Sequence, residues 1–272
     1  MSGLVWGPTE EARLAAIRDD LAAVSTATAC QLLIALGWRN AYMRGLRPLQ
    51  ELGLGIRLVG RARTCRYLMR RGPEGPHDPA ARRVSPEIVL IESLESGDIV
   101  CIDALGVPTA GIIGDILSAR ILGRGALAAI VHGAVRDSPY IQQVGLPVFT
   151  ATIHPSHSGR DLVPVDYDRP IDMGGAQVLP GDVILADNEG AMGMPLDLAE
   201  YIAAHGPEKE LLEEWIRGKV AAGGSIHDYY PPSEEKAVEY QAETGRVAPS
   251  VNLGRGSSPQ WGEGGGRGRK EA

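Results

Sequence analysis

Asp115 and, after twenty intervening residues, the adjacent pair Arg136-Asp137 combine the residue types and spacing in this chain best suited to chemistry. They lie in "GIIGDILSARILGRGALAAIVHGAVRD", residues 111–137. A guanidinium can grip a carboxylate and a keto oxygen through two parallel hydrogen bonds. A carboxylate beside it is a hard oxygen ligand for a divalent ion that keeps most of its water. A helix beginning near Asp115 leaves its first amides unpaired and carries partial positive charge there. Gly114 lets a ligand come close, so the amides of Gly114, Asp115, Ile116 and Leu117 form a candidate cradle for a substrate carboxylate. Asp115, reaching the same place from the adjacent crossover, could hold a water bound to the ion. The plainer alternatives are a turn at Gly114, an acidic residue favoured by a helix dipole, and an ordinary surface ion pair.

Such an arrangement needs a strand–loop–helix frame that puts the pair at the carboxyl edge of a sheet, where α/β proteins collect ligands. The sequence predicts one. "DIVCID" (98–103) reads as a strand, "DILSARILG" as a helix of about two turns and "ALAAIVHG" as a buried strand. "SPYIQQVG" reads as a short helix closed by Gly145 and "LPVFTAT" as a further strand. This alternation implies an α/β fold with parallel pairing and right-handed crossovers. Helical periodicity also appears over 9–36, with an N-cap at Ser25 or Thr26, and again over 196–222. The Pro- and Gly-rich stretch 71–87 reads as a surface loop inserted between core elements. "IDMGGAQVLPGDVILADNEGAMGMP" reads as β-like with turns. The expected organisation is one domain over 1–245 with its core at about 20–225, followed by a disordered Gly-rich tail over 246–272.

The totals exclude several classes. With 272 residues the chain can bury one substantial core. A net charge of −7 gives no electrostatic basis for holding nucleic acid. No apolar run approaches the roughly 20 residues of a membrane span, and the start lacks a signal-peptide pattern, so a cytoplasmic location is expected. Cys30, Cys65 and Cys101 read as buried thiols. "HPSH" (154–157) with Asp161 suggests a zinc site only weakly, since Pro155 disfavours helical facing of the two histidines. "GRG" at 123–125 lacks the full dinucleotide spacing. "DNEG" (187–190) reads as a β-turn rather than a ligand cluster, with support of a subunit contact by Asp187 or Glu189 as the lesser alternative. His132 reads as a hydrogen-bonded structural histidine.

The Asp115/Arg136-Asp137 signature resembles that of the RraA-like family. That family includes divalent-metal-dependent aldolases acting on 4-hydroxy-4-methyl-2-oxoglutarate and 4-carboxy-4-hydroxy-2-oxoadipate. "GLRPL", "ESGDIVCID", "IQQVGLPVFT" and "VLPGDVILADNEGAMGMP" occur in the order the family shows. The resemblance implies a swivelling β/β/α-type fold with central β-sandwich-like sheets flanked by helices, and a homotrimer or hexamer with sites between subunits. It implies that Asp137 binds Mg²⁺ or Mn²⁺, that Arg136 orients a 2-keto acid, and that Asp115 reaches the metal through water. It also implies an acidic residue from a neighbour's C-terminal helix, for which Glu213 and Glu214 are the candidates. Two other activities remain open under the resemblance. One is metal-dependent dehydration, hydration or tautomerisation of a sugar-derived keto acid. The other is non-catalytic regulation of a ribonuclease, a branch that tends to lack an acid at the position of Asp115.

Overall fold

All six residues of "DIVCID" are buried, and they form strand β3 (Asp98–Asp103). Successive strand side chains point to opposite faces. Accordingly Val100 and Ile102 enter one apolar cluster while Ile99 and Cys101 enter another. A strand covered on both faces belongs at the centre of a sheet. In the computed structural model, which describes residues 6–73 and 78–249, β3 lies between β2 (Leu58–Met69) and β4 (Ala128–Val135), parallel to both. β5 (Val148–Ile153) continues the parallel run beyond β4, and β1 (Arg47–Pro48) closes that edge antiparallel to β5.

β2 is shared along its length. Its first residues pair antiparallel with β9 (Val183–Asp187) and its last with β6 (Leu162–Tyr167), and β10 (Gly190–Met194) pairs antiparallel with β9. The result is an eight-stranded mixed sheet, with β7 (Ile171–Met173) and β8 (Ala176–Val178) forming a separate hairpin. On one face of the parallel strands lie α4 (Pro86–Glu92), α5 (Asp115–Gly123) and α6 (Ser138–Val144), whose Leu90, Ile121 and Ile141 share a cluster with Val100 and Val131. The opposite face packs on Met173, Ala176 and Val178 of the hairpin and on Ile184 and Ala186 of β9. Val183 and Leu185 of β9 point the other way, into a third cluster. That cluster is covered by α1 (Pro8–Ala22), α2 (Thr26–Ala35) and α7 (Leu196–Ala221). The sheet therefore curls until its two ends share one interior, a nearly closed mixed sheet flanked by helices.

The predicted elements appear where the alternation and periodicity put them. The 9–36 helical region breaks into α1 and α2, and the Ser25 hydroxyl accepts from the Thr28 amide at 3.1 Å as the N-cap of the second. The 71–87 stretch differs from its reading as an irregular loop. It lies on the surface, but α3 (Pro79–Arg83) and the start of α4 occupy its second half. Two of its prolines, Pro79 and Pro86, sit at the first helical position, where no amide partner is needed. α8 (Ile226–Tyr229) and α9 (Glu234–Thr244) also appear beyond the expected helices, held to the end of α7 by Trp215, Tyr229 and Tyr240. The reading of the tail lies, beyond residue 249, outside the described residues. Among the described residues no helix is long and apolar enough to cross a membrane.

β2 passes so close to the turn before β3 that one position tolerates only glycine. A β-carbon on Gly60 would lie 2.4 Å from the Gly97 carbonyl oxygen and 2.9 Å from Ile99 Cγ1. Neither neighbour can yield without moving the strand pair. Gly60→Ala is expected to cost about 1–3 kcal/mol, read as a lower urea midpoint with an unchanged slope.

Candidate active site

Arg136 and Asp137 follow directly on the last residue of β4, at the carboxyl edge of the parallel strands. The Arg136 amide donates to the Ile113 carbonyl at 3.0 Å, and the Ile112 amide donates to the Ala134 carbonyl at 2.9 Å. These bonds zip the approach to α5 onto the end of β4. Asp137 adopts the left-handed conformation, φ 54° and ψ 33°, as the N-cap of α6. Aspartate tolerates that region better than most residues, and non-glycine residues held there cluster at functional sites. The turn aims its carboxylate back at α5.

Gly114 is the N-cap of α5, in extended backbone that any residue could adopt. What excludes a side chain is space. A β-carbon there would lie 2.5 Å from Asp137 Oδ2 and 3.3 Å from Arg136 Nε. Gly111 is confined in the same way, with Arg136 Cβ and the His154 carbonyl oxygen each 2.8 Å from the β-carbon it lacks. The sequence reading had a ligand approaching the Gly114 amides. In the structure the first group to use that gap is the Asp137 carboxylate itself. Arg136 Nε pairs with Asp137 Oδ2 at 3.1 Å, and the two side chains are 40% and 36% exposed. A pair that open to water contributes little stability, so both groups are free to serve a ligand. Asp115 stands half-buried in the first turn of α5, Leu117 is half-buried beside it, and Ile116 is 77% exposed. Gly114, Asp115, Arg136 and Asp137 therefore gather at one edge of the sheet.

Two further charged residues join this edge, and the sequence reading missed them. Glu87, in the first turn of α4, is 2% exposed, and burial pushes its carboxyl up to about 7. The Arg82 guanidinium at the end of α3 lies against it. This is a charge contact without hydrogen-bond geometry, and neither Glu87 oxygen accepts a hydrogen bond among the described residues. Burial and the charge of Arg136 together hold Arg82 below the usual guanidinium range. A Pro-rich stretch read as a loop offered no helical phase that would have turned Glu87 inward and set Arg82 against it.

The donor set fits a hard divalent ion better than a soft one. Among the described residues no three His, Cys, Asp or Glu side chains come together to hold a metal. The chain thus offers the carboxylates of Asp137 and Asp115, enough for an ion that keeps several waters and too few for a structural zinc site. The zinc reading of "HPSH" does not assemble. His154 Nδ1 instead accepts the Ser156 amide at 3.1 Å, and Asp161 accepts the Thr109 hydroxyl at 2.5 Å. Asp187 turns β9 into β10 and also receives the Thr26 amide and hydroxyl at 2.9 and 2.7 Å, which ties α2 to the sheet. All three cysteines are free, and burial pushes their thiols up.

A family model described as RraA-like, Aldolase/RraA, matches residues 22–192, well over half of the chain. The protein belongs to the RraA-like family, and the matched span contains every charged residue at this edge. The solved structure of Streptomyces coelicolor RraAS2, an unusual member of the RNase ES inhibitor RraA protein family, is similar with a TM-score of 0.66. That likeness runs at 30% identity and covers 74% of this chain and 95% of that one. Protein DlpA of Legionella pneumophila is 27% identical over 182 residues, which are 67% of this chain and only 28% of DlpA. The 4-hydroxy-4-methyl-2-oxoglutarate aldolase of Thermus thermophilus is 27% identical over 146 residues, covering 54% of this chain and 80% of that enzyme.

His132 lies elsewhere, on the sheet face covered by the β7–β8 hairpin. Its Nδ1 is 3.6 Å from Asp103 Oδ1 and 3.3 Å from the Asp172 carbonyl oxygen. The Asp103 carboxylate raises its pKa, with burial opposing. A histidine raised on folding stabilises fully below its unfolded value of about 6.5 and loses that contribution as pH rises through the folded value. His132→Gln should therefore be less stable than the unaltered chain by about 1 kcal/mol near pH 6. Urea titrations should show the gap closing towards pH 9, and a gap that does not change with pH would refute the assignment.

Proposed function

We propose that the chain is a divalent-metal-dependent carbon–carbon lyase. It cleaves a small 4-hydroxy-2-keto acid, or decarboxylates an oxaloacetate-like one, through the enolate of pyruvate. The observation that carries this reading is the seating of the Asp137 carboxylate against Gly114, with the Arg136 guanidinium alongside. The names of curated relatives support it, since those from Thermus thermophilus and Hahella chejuensis are called 4-hydroxy-4-methyl-2-oxoglutarate aldolase or putative forms of it.

Asp137, with Asp115 acting through water, would hold Mg²⁺ or Mn²⁺, which supplies Lewis-acid polarisation of a keto group when bound. The free amides of Gly114 to Leu117 take the carboxylate of the 2-keto acid at the positive end of α5. Arg136 spans that carboxylate and the keto oxygen and fixes the plane of the substrate. As the bond between C3 and C4 breaks, its electron pair moves into the enolate. The enolate oxygen gains its charge beside Arg136, which is already in place to stabilise it. Asp115 orients the water that takes the 4-hydroxyl proton and later returns one to C3. No lysine is needed at any step. In a homotrimer or hexamer, a neighbour's α7 would add an acidic residue. Glu214 suits that role better than Glu213, because it is exposed while Lys209 engages Glu213 within the helix.

A second reading, regulation of a ribonuclease, draws on the likeness to RraAS2 at 30% identity. One set of assays separates the two. Pyruvate release from 4-hydroxy-2-keto acids or oxaloacetate should vanish with EDTA and return with Mg²⁺ or Mn²⁺. Asp137→Ala should lower kcat/KM by about three orders of magnitude, and Gly114→Ala, which displaces the carboxylate, by about one to two. Release that ignores both chelation and Asp137→Ala would overturn the lyase reading. Capture of a ribonuclease without any pyruvate release would favour the regulatory one.

A further inference from the structure

We propose that Arg82 is a second anion-binding residue of this site, positioned by Glu87 to hold the far carboxylate of a ligand whose near end occupies Arg136 and the α5 amides. The inference rests on the keto-acid reading of the site and assigns a specificity residue within it.

The placement follows from topology first. α4, α5 and α6 lie on one face and link successive parallel strands, so they run side by side with their amino ends at the strands' carboxyl edge. The Arg120 guanidinium grips the Glu92 carboxylate, an exposed contact between α5 and α4. Glu87 in the first turn of α4 and Asp115 in the first turn of α5 therefore both lie at that edge. Arg82, in contact with Glu87 at the amino end of α4, stands at the same edge of the sheet as Asp115 and Arg136. It is 45% exposed, on a helix none of whose residues is buried. Packing does not explain an arginine there.

Electrostatics supplies the second line. Glu87 is almost wholly buried with no hydrogen bond to either oxygen among the described residues, so what it meets is the charge of Arg82. That contact fixes the direction of an otherwise flexible side chain. Arg82 also senses the charge of Arg136. Two guanidiniums held near one another raise the energy of the empty site, and an anion with two separated charges recovers it. Arg136 shares Asp137 and takes the near carboxylate, and Arg82, 45% exposed beside Glu87, supplies the second cation for the far one.

The test compares two non-cleaved keto acids of equal length, 2-oxoglutarate and 2-oxopentanoate, which differ by the far carboxylate. Isothermal titration of the full chain with Mg²⁺ should show 2-oxoglutarate binding about tenfold tighter. Arg82→Ala should abolish that preference by weakening 2-oxoglutarate alone. Arg82→Lys should keep part of it, and Glu87→Gln should reduce it. The ratio of affinities does not depend on the fraction of folded protein, so a purely structural effect leaves it unchanged. An unaltered ratio in Arg82→Ala, or equal weakening of both ligands, would overturn the inference. Binding without any pyruvate release from cleavable substrates would instead sink the lyase reading and leave the role of Arg82 standing. Failure of both ligands to bind the unaltered chain would overturn both.

Discussion

A carboxylate lying where a β-carbon would otherwise stand is the contact on which this site depends. Asp137 can approach α5 because Gly114 leaves the gap and because a left-handed turn at Asp137 aims the side chain into it. Neither condition suffices alone. An alanine at 114 would fill the gap, and an extended Asp137 would point its carboxylate elsewhere. The amides of Ile112 and Arg136 lock the two segments together, so acid, guanidinium and helix terminus are held in place before any ligand arrives. Preorganisation of this kind is what electrostatic catalysis requires.

The sheet explains why these groups meet at all. Parallel strands joined by helices on one face bring every strand end and helix start to a single edge. The curl of β9 and β10 onto the far face, backed by α1, α2 and α7, then encloses the interior without covering that edge. The chain carries a net charge of −7, yet the edge gathers two guanidiniums and the positive end of α5. Each guanidinium there lies against a carboxylate, Arg136 against Asp137 and Arg82 against Glu87.

Burying charge in the middle of such a sheet carries a cost that the fold meets with partners. Asp98, 1% exposed at the start of β3, accepts from Arg61 Nε at 2.7 Å and from the Glu95 amide at 2.8 Å, with Arg63 at 3.4 Å. Burial raises its pKa against the pull of these partners. Asp103, at the other end of the strand, accepts the Leu105 amide at 2.9 Å and faces His132. Both acids therefore serve the structure and lie apart from the candidate chemistry, although "DIVCID" alone does not distinguish them from Asp115 or Asp137.

Periodicity was enough to place β3, α5, β4, α6 and β5, because alternation and helical phase are local properties that one strand or one turn already expresses. The pair Arg136-Asp137 and the glycine before Asp115 were legible for the same reason: their spacing follows from the length of one strand–helix–strand unit. The sequence did not reveal that the Asp137 carboxylate lies where a β-carbon of residue 114 would stand, since that depends on two turns twenty residues apart meeting in space. Nor did it reveal Arg82 and Glu87, whose prolines suggest a loop until the neighbouring helix supplies a surface to pack against. Local patterns thus determined the elements and the candidate chemistry. The close approaches were decided only by the tertiary structure, because a steric gap or a charge contact exists between segments and is written in neither one.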